Sequence, residues 1–283
     1  MENCRIIARM DIKGPNLVKG IHLEGLRVLG KPEDFAKYYY ENGADELFYQ
    51  DVVASLYERN SLQEIISNTA KRSFIPLTVG GGIRTINDIK EVLRVGADKV
   101  CINTAAIRNP QFIKEAALKF GSSTIVIAIE AIKQPDGKYL AFVDNGREFT
   151  GIEVLDWAKK VEMLGAGEIV ATSVDREGTG KGYDTDLTHM IASNVTIPVI
   201  AHGGPGQLMH FSEGFIKGNA DALAVASVIH YDFITNRSSN MSDSTEGNVS
   251  FLKSGRSRFG QINPSSLLEI KKNLAEAGIH CRQ

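Results

Sequence analysis

The 283-residue sequence predicts an α/β fold, a single (β/α)8 TIM barrel built as a twofold half-barrel repeat, and three observations carry that prediction. Apolar, β-rich runs alternate with amphipathic stretches from end to end, the pattern of a parallel sheet with crossover helices. Eight such runs can be counted: Arg5–Asp11, Glu46–Asp51, Pro76–Val79, Lys99–Asn103, Thr124–Glu130, Glu168–Ser173, Pro198–Ala201 and Ala222–Ser227. The third observation is a repeat. Ile75-Pro-Leu-Thr-Val-Gly-Gly-Gly-Ile-Arg84 has an echo in Ile197-Pro-Val-Ile-Ala-His-Gly-Gly-Pro-Gly206, with Pro76 and Pro198 standing 122 residues apart. At that offset Gly43-Ala-Asp-Glu-Leu47 matches Gly165-Ala-Gly-Glu-Ile169 and Gly96–Thr104 matches Gly218–Ala226 more loosely; with a slip of three, Ile6–Asp11 matches Ile125–Glu130. Two four-unit halves in the same order suit one closed barrel, whereas an open doubly wound sheet predicts no such repeat.

Residues 1–283 therefore read as one barrel, interrupted only by a polar, low-complexity segment at 235–260. With the last strand ending near Ser227 and the last helix beginning around Pro264, this insertion is expected in the loop after strand eight, as a lid, a docking element or a disordered stretch. A net charge of −2 without a basic run gives no case for a nucleic-acid or membrane partner. The N-terminal residues lack the basic region and apolar run of a signal peptide, which predicts a cytoplasmic protein. Cys4, Cys101 and Cys281 are odd in number and widely spaced, so neither a disulfide framework nor a zinc site is expected. The histidines show no ligand spacing, and no metal or other cofactor is predicted.

The chemistry is expected where strands end. Asp11 and Glu130 close equivalent strands of the two halves and would face each other across the barrel mouth, an arrangement suited to general acid–base work. A helix cap or a salt-bridged strand end is the plainer reading of either carboxylate alone. Gly81 and Gly82 with Asn103 and Thr104 in one half, and Gly178, Thr179, Gly203, Gly204, Ala226 and Ser227 in the other, put small residues and bare N–H groups at neighbouring strand ends. Such turns are ready anion sites, and two sets imply a ligand with a phosphate at each end. Lys19 either orders a loop or touches substrate, Asp51 and Asp175 also end strands, and Trp157 reads as helix packing. At the opposite face the strands begin with Arg5, Glu46, Lys99 and Glu168, two charges of each sign that could close a ring across the barrel floor. Floor features are by default about stability, yet four charges in an apolar tube are costly unless paired, so a gate is also considered.

Taken together, Thr78-Val-Gly-Gly-Gly-Ile83, Gly96-Ala-Asp-Lys-Val-Cys-Ile-Asn-Thr-Ala-Ala106, Gly165-Ala-Gly-Glu-Ile169 and Thr172-Ser-Val-Asp-Arg-Glu-Gly-Thr179 resemble the cyclase subunit of imidazole glycerol phosphate synthase, over nearly the whole chain apart from the insertion. The resemblance implies an ammonia-dependent cyclase and lyase of histidine biosynthesis that acts on a bis-phosphate ribonucleotide. Its ammonia would come from a glutaminase partner docked on the barrel floor. It further implies Asp11 and Glu130 as catalytic carboxylates and Arg5, Glu46, Lys99 and Glu168 as the ammonia gate, with Asp98 facing the glutaminase. Lys19, Gly82, Asn103, Thr104, Asp175, Gly178, Gly204, Ala226 and Ser227 would serve the substrate and its phosphates. The sequence departs from that family at the mouth alone: Glu130 and Glu177 replace aspartates, His202 replaces a small residue, and Pro205 removes an N–H. Those departures leave open a paralogue that passes ammonia toward a separate sugar amidotransferase of surface-polysaccharide synthesis, as well as a non-catalytic conduit. The related barrel sugar isomerase would share the repeat and the paired carboxylates but would not need the four-charge floor.

Overall fold

A computed structural model describes residues 3–53, 62–237 and 260–282. Thirteen strands are found among them, numbered β1 (Asn3–Lys13), β2 (Asn16–Ile21), β3 (Glu24–Gly30), β4 (Glu46–Asp51), β5 (Leu77–Gly80), β6 (Lys99–Ile102), β7 (Ile125–Lys133), β8 (Tyr139–Val143), β9 (Glu148–Glu153), β10 (Glu168–Ser173), β11 (Val199–His202), β12 (Ala222–Val225) and β13 (His280–Cys281). Eight of them pair in parallel in the order β10-β11-β12-β1-β4-β5-β6-β7, and β7 pairs with β10 to close the barrel. Each lies within two residues of its expected start. The expected (β/α)8 architecture is the one observed.

Strand parity separates two cores. On β1 the even residues Ile6, Ala8, Met10 and Ile12 pack outward with Phe35, Tyr39, Trp157 and the other helix-facing side chains, all essentially without solvent contact. Ile7 turns inward to a second apolar cluster with Phe48, Cys101, Val126, Ala128, Val170, Ile200, Ala222 and Ala224, which fills the lumen. Burial on both faces explains why these strands read as continuous apolar runs. The turn after β5 leads into the helix Ile86–Arg94, which starts where Thr85 accepts from the Asp88 N–H at 3.2 Å and the Asp88 carboxylate accepts from the Thr85 N–H at 2.8 Å. The Gly-Ala-Asp motifs act at the other end. Asp45, Asp98 and Asp221 accept from the N–H groups of Ile6, Leu77 and Val199 at 2.7–2.8 Å, each tying the start of one barrel strand to its neighbour.

Four expectations need correction. β1 and β7 run on past Asp11 and Glu130 because each turns into an antiparallel hairpin, β2–β3 and β8–β9, which the repeat analysis did not anticipate. β12 ends at Val225, and Ser227 opens the helix Ser227–Arg237. The first residues of the expected 235–260 insertion, 235–237, belong to that helix, and from 238 to 259 it lies outside the described residues. The final helix begins at Leu267, three residues beyond Pro264, because Ser266 and Glu269 form its capping box. β13 then pairs with β1 so that Cys281 lies beside Cys4, an adjacency that the sequence spacing concealed. Among the described residues no helix is long and apolar enough to cross a membrane.

Candidate active site

Inward-facing residues form three layers along the barrel axis. At the floor, Arg5 bonds Glu46 at 2.6 Å and Glu168 at 2.8 Å, while Lys99 bonds the same two carboxylates at 3.2 and 2.8 Å. The expected ring of alternating charges is closed. Burial alone would weaken the Arg5 charge, but Glu168 and Glu46 outweigh it and hold its pKa above the ordinary value. Above the ring comes the apolar lumen, and above that a polar layer comprising Arg9, Asp11, Asn103, Glu130, Thr172 and His202.

A cavity of about 280 Å³ opens into this upper layer on the side of β4 to β7. Its walls include Gly81, Gly82, Asn103, Thr104, Asp51 and Glu130, and it reaches down to Cys101, Ala128 and Thr172. The β8–β9 hairpin shapes it. The Gly146 N–H donates to Glu130 Oε2 at 2.8 Å, Asn145 Nδ2 donates to the Val52 carbonyl at 2.6 Å, and Asn103 Nδ2 donates to the Phe142 carbonyl at 3.2 Å. Thr104 contacts Asp144 at 3.4 Å, and Arg108 bonds both Asp144 and Glu148 at the rim. Gly81 has φ +96°, and a Cβ there would lie 2.2 Å from the Asp51 carbonyl, so only glycine lets the chain turn this closely against β4. Glu130 is 8% exposed, and burial pushes its carboxyl up to about 7, against the opposing effects of the Gly146 N–H and Arg9.

On the other side of the mouth a buried charge network is packed. Lys19 bonds Glu177, lies 3.8 Å from Asp11 and is fully enclosed with both. Glu177 also accepts from the Leu23 N–H at 3.1 Å, and the His22 N–H donates to the Glu177 carbonyl at 3.0 Å, so the β2–β3 hairpin is pinned over the loop that follows β10. Burial would raise the Asp11 carboxyl, but the charges of Arg9 and Lys19 reverse this and hold it below the usual carboxylate range. Lys19 is driven down by burial and held up more strongly by Glu177 and Asp11. His202 is pushed well below its ordinary value by burial, Arg9 and Lys19, and is neutral near pH 7.

The expected residues thus divide. Glu130, Gly82, Asn103 and Thr104 share the open cavity, while Asp11 and Lys19 lie in the charged network beside it. Gly178, Gly204, Ala226 and Ser227 line no part of the cavity. Gly178 packs against Gly20 of the hairpin, Gly204 packs against Gly182, and Ala226 and Ser227 are each 6% exposed. At Gly204, with φ +109°, a Cβ would lie 2.1 Å from the Gly182 carbonyl. Gly204→Ala is therefore expected to cost about 2–4 kcal/mol, read as a lowered urea midpoint at unchanged slope. Asp175 stands two residues beyond β10, accepts from the Lys133 N–H at 2.8 Å and lines a separate hollow with Lys133, Tyr139 and Asp184. Asp98 is exposed at the floor as expected, with one carboxylate oxygen used by Leu77.

Sequence reasoning missed Arg9. Its guanidinium lies over the Phe48 ring at 5.2 Å from the centroid, donates from Nε to Asp11 Oδ1 at 3.1 Å, contacts His202 Nδ1 at 3.3 Å and lines the cavity. Parity would have found it: with Arg5 and Asp11 both assigned inward, Arg9 must point inward too.

Comparison with known proteins agrees with this geometry. The family model of a histidine biosynthesis protein matches residues 5–235. The chain is 57% identical over 212 residues to imidazole glycerol phosphate synthase subunit HisF of Legionella pneumophila, covering 75% of this chain and 100% of that protein. It is 45% identical over 231 residues to the subunit of the same name from Alkaliphilus metalliredigens (strain QYMF), covering 82% of this chain and 92% of that protein. With a closed barrel, a charged floor ring and paired mouth carboxylates also in place, the chain belongs to the histidine biosynthesis protein family as a HisF-like cyclase subunit.

Proposed function

We propose that the protein is the ammonia-using cyclase and lyase of imidazole glycerol phosphate synthesis, acting on a bis-phosphate ribonucleotide with Asp11 and Glu130 as the acid–base pair. The observation that carries this reading is the stacking of three features on one axis: a closed four-charge floor, an apolar lumen, and a cavity lined by Glu130 with Asp11 beside it. A neutral molecule as small as ammonia suits an apolar lumen, while the charged ring selects what enters it. The family's relatives are named as subunits, and a glutaminase is the partner that would supply ammonia at the floor. The floor rim offers it Phe74, 81% exposed beside Tyr40, next to a hollow of about 310 Å³ lined by Ser73, Ile75, Pro76 and Asp98. A sugar amidotransferase as a further partner has no observation in its favour.

Purified protein supplied with the bis-phosphate ribonucleotide and enough ammonium salt near neutral pH to furnish free ammonia is expected to form imidazole glycerol phosphate and aminoimidazole carboxamide ribotide. Absence of turnover, with a glutaminase still activated on mixing, would sink the cyclase reading and leave a conduit. Lys99→Met tests the floor. It removes two of the ring's four ion pairs and is expected to slow glutamine-driven turnover more than ammonium-driven turnover; equal slowing would make the ring merely structural.

A further inference from the structure

The two mouth carboxylates are equivalent by the repeat but not by their surroundings, and the difference traces to Arg9. At the slip that aligns Asp11 with Glu130, Arg9 aligns with Ala128, so one half carries a guanidinium where the other carries a methyl group. Arg9 is 4% exposed and is held on three sides: by the Phe48 ring beneath, by the Asp11 carboxylate at 3.1 Å and by His202 at 3.3 Å. Thr172 fixes His202 in turn, its hydroxyl lying 3.1 Å from the same Nδ1. A planar fork restrained in this way leaves Asp11 little orientational freedom.

The charges around the pair support an assignment. Asp11 is faced by Arg9 on its own strand, Lys19 on β2 and His230 on the helix Ser227–Arg237; Glu177, on the loop after β10, bonds Lys19, and His202, on β11, contacts Arg9. Burial pushes His230 down to about 3, so both histidines are neutral near pH 7. Arg9 and Lys19 then balance Asp11 and Glu177, two charges against two. Glu130 has no cation within salt-bridge reach among the described residues and accepts instead from the Gly146 N–H, with the Asn103 amide also favouring its charged form.

We infer that Arg9 is the positioning residue that divides the labour of the two carboxylates, holding Asp11 charged and oriented as the base and leaving Glu130 as the acid. The inference rests on the acid–base reading above. It assigns to β1 a specificity of role that neither carboxylate possesses alone, because removing Arg9 leaves three buried groups, Asp11, Lys19 and Glu177, with a net negative charge.

The test uses Arg9→Met and Arg9→Lys in the full chain. Carbon-13 NMR of labelled aspartate and glutamate, with Asp11→Asn and Glu130→Gln spectra to identify the two signals, follows each carboxylate without substrate. In Arg9→Met the Asp11 midpoint is expected to rise by roughly a unit, since an opposite charge in direct contact has been lost. The acid limb of the kcat profile should rise with it, with kcat down about tenfold or more and KM changed less. Arg9→Lys keeps the charge without the fork, so the midpoint should stay near the parent's while kcat falls. An unmoved Asp11 midpoint in folded Arg9→Met overturns the inference. If that variant does not fold, Arg9→Lys decides, because a parental kcat in it would show that the fork positions nothing. A parent that turns over no ribonucleotide while the midpoint still moves defeats the cyclase reading and leaves the electrostatic role of Arg9 standing.

Discussion

Asp11→Asn and Glu130→Gln are each expected to lower kcat by about 10²–10⁴-fold with little change in KM, the range lost when a positioned acid or base is removed. Both substitutions keep shape near the parent's; Asp11→Asn leaves Arg9 and Lys19 facing Glu177 alone, so its urea midpoint is measured first and the loss of rate is read on the folded protein. The pH profile separates the two roles. With its pKa near 7, Glu130 is largely protonated below neutrality and gives up its proton as pH rises through that value. Asp11, held below the ordinary carboxylate range, remains ionised well into acid. Rates expressed per free ammonia should therefore rise out of the acid range as Asp11 ionises, hold through weak acid, and fall above about pH 7 as Glu130 is deprotonated. In Glu130→Gln the alkaline fall should vanish along with most of the rate. A profile that kept its alkaline limb in that variant would assign the limb to another group.

Lys19→Met should produce the largest loss of stability. The ammonium sits between Glu177 and Asp11, all three enclosed, and its removal strands carboxylates in a site that excludes water. Breaking a buried charge network by deleting one partner costs about 3–5 kcal/mol. The sign of its pH dependence follows from linkage. Asp11 has a depressed folded pKa, so in the parent its contribution is present above the unfolded value, 3.8, and is lost as pH falls through the folded one. In the variant, acid protonates the stranded groups and relieves them. The stability gap should thus be widest at pH 7 and narrow toward pH 4, as read from urea midpoints at each pH. Because Glu177 also pins the β2–β3 hairpin through the Leu23 N–H, amide exchange over residues 17–23 should accelerate at pH 7.

How far the molecule was legible depended on whether its signals were local. Barrel strands, the floor ring and the Gly80–Gly82 turn were readable because parity, apolar runs and glycine each leave a mark within a few residues. The β8–β9 hairpin was readable in principle: Asp144-Asn-Gly146 supplies the left-handed turn, with φ of 53°, 60° and 76°, after an alternating strand. The β2–β3 hairpin carried no such mark, since its tip places His22 and Leu23 at φ 53° and 62°, residue types that do not announce that conformation. Its fold depends on the clamp from Glu177, more than 150 residues away. The same distance hid the asymmetry of the mouth. Gly178 and Gly204 look in sequence like turns equivalent to Gly82, yet a Cβ at either would meet neighbouring backbone, a close approach that only the packed structure reveals.

The pairing of Arg9 with Ala128 also bears on how a duplicated barrel can diverge. Both residues line the same cavity, from equivalent strands of the two halves. A second guanidinium at position 128 would bring like charges together around one cavity, away from water. Strict internal symmetry is therefore disfavoured once either half acquires a buried cation there; a small side chain at the sister position avoids the repulsion. Exchanging the two residues as a pair, Arg9→Ala with Ala128→Arg, would conserve volume and charge while moving the cation to the strand that bears Glu130. Such a swap offers a direct way to ask whether the two halves of a fused, repeated enzyme can trade chemical duties after their sequences have drifted apart.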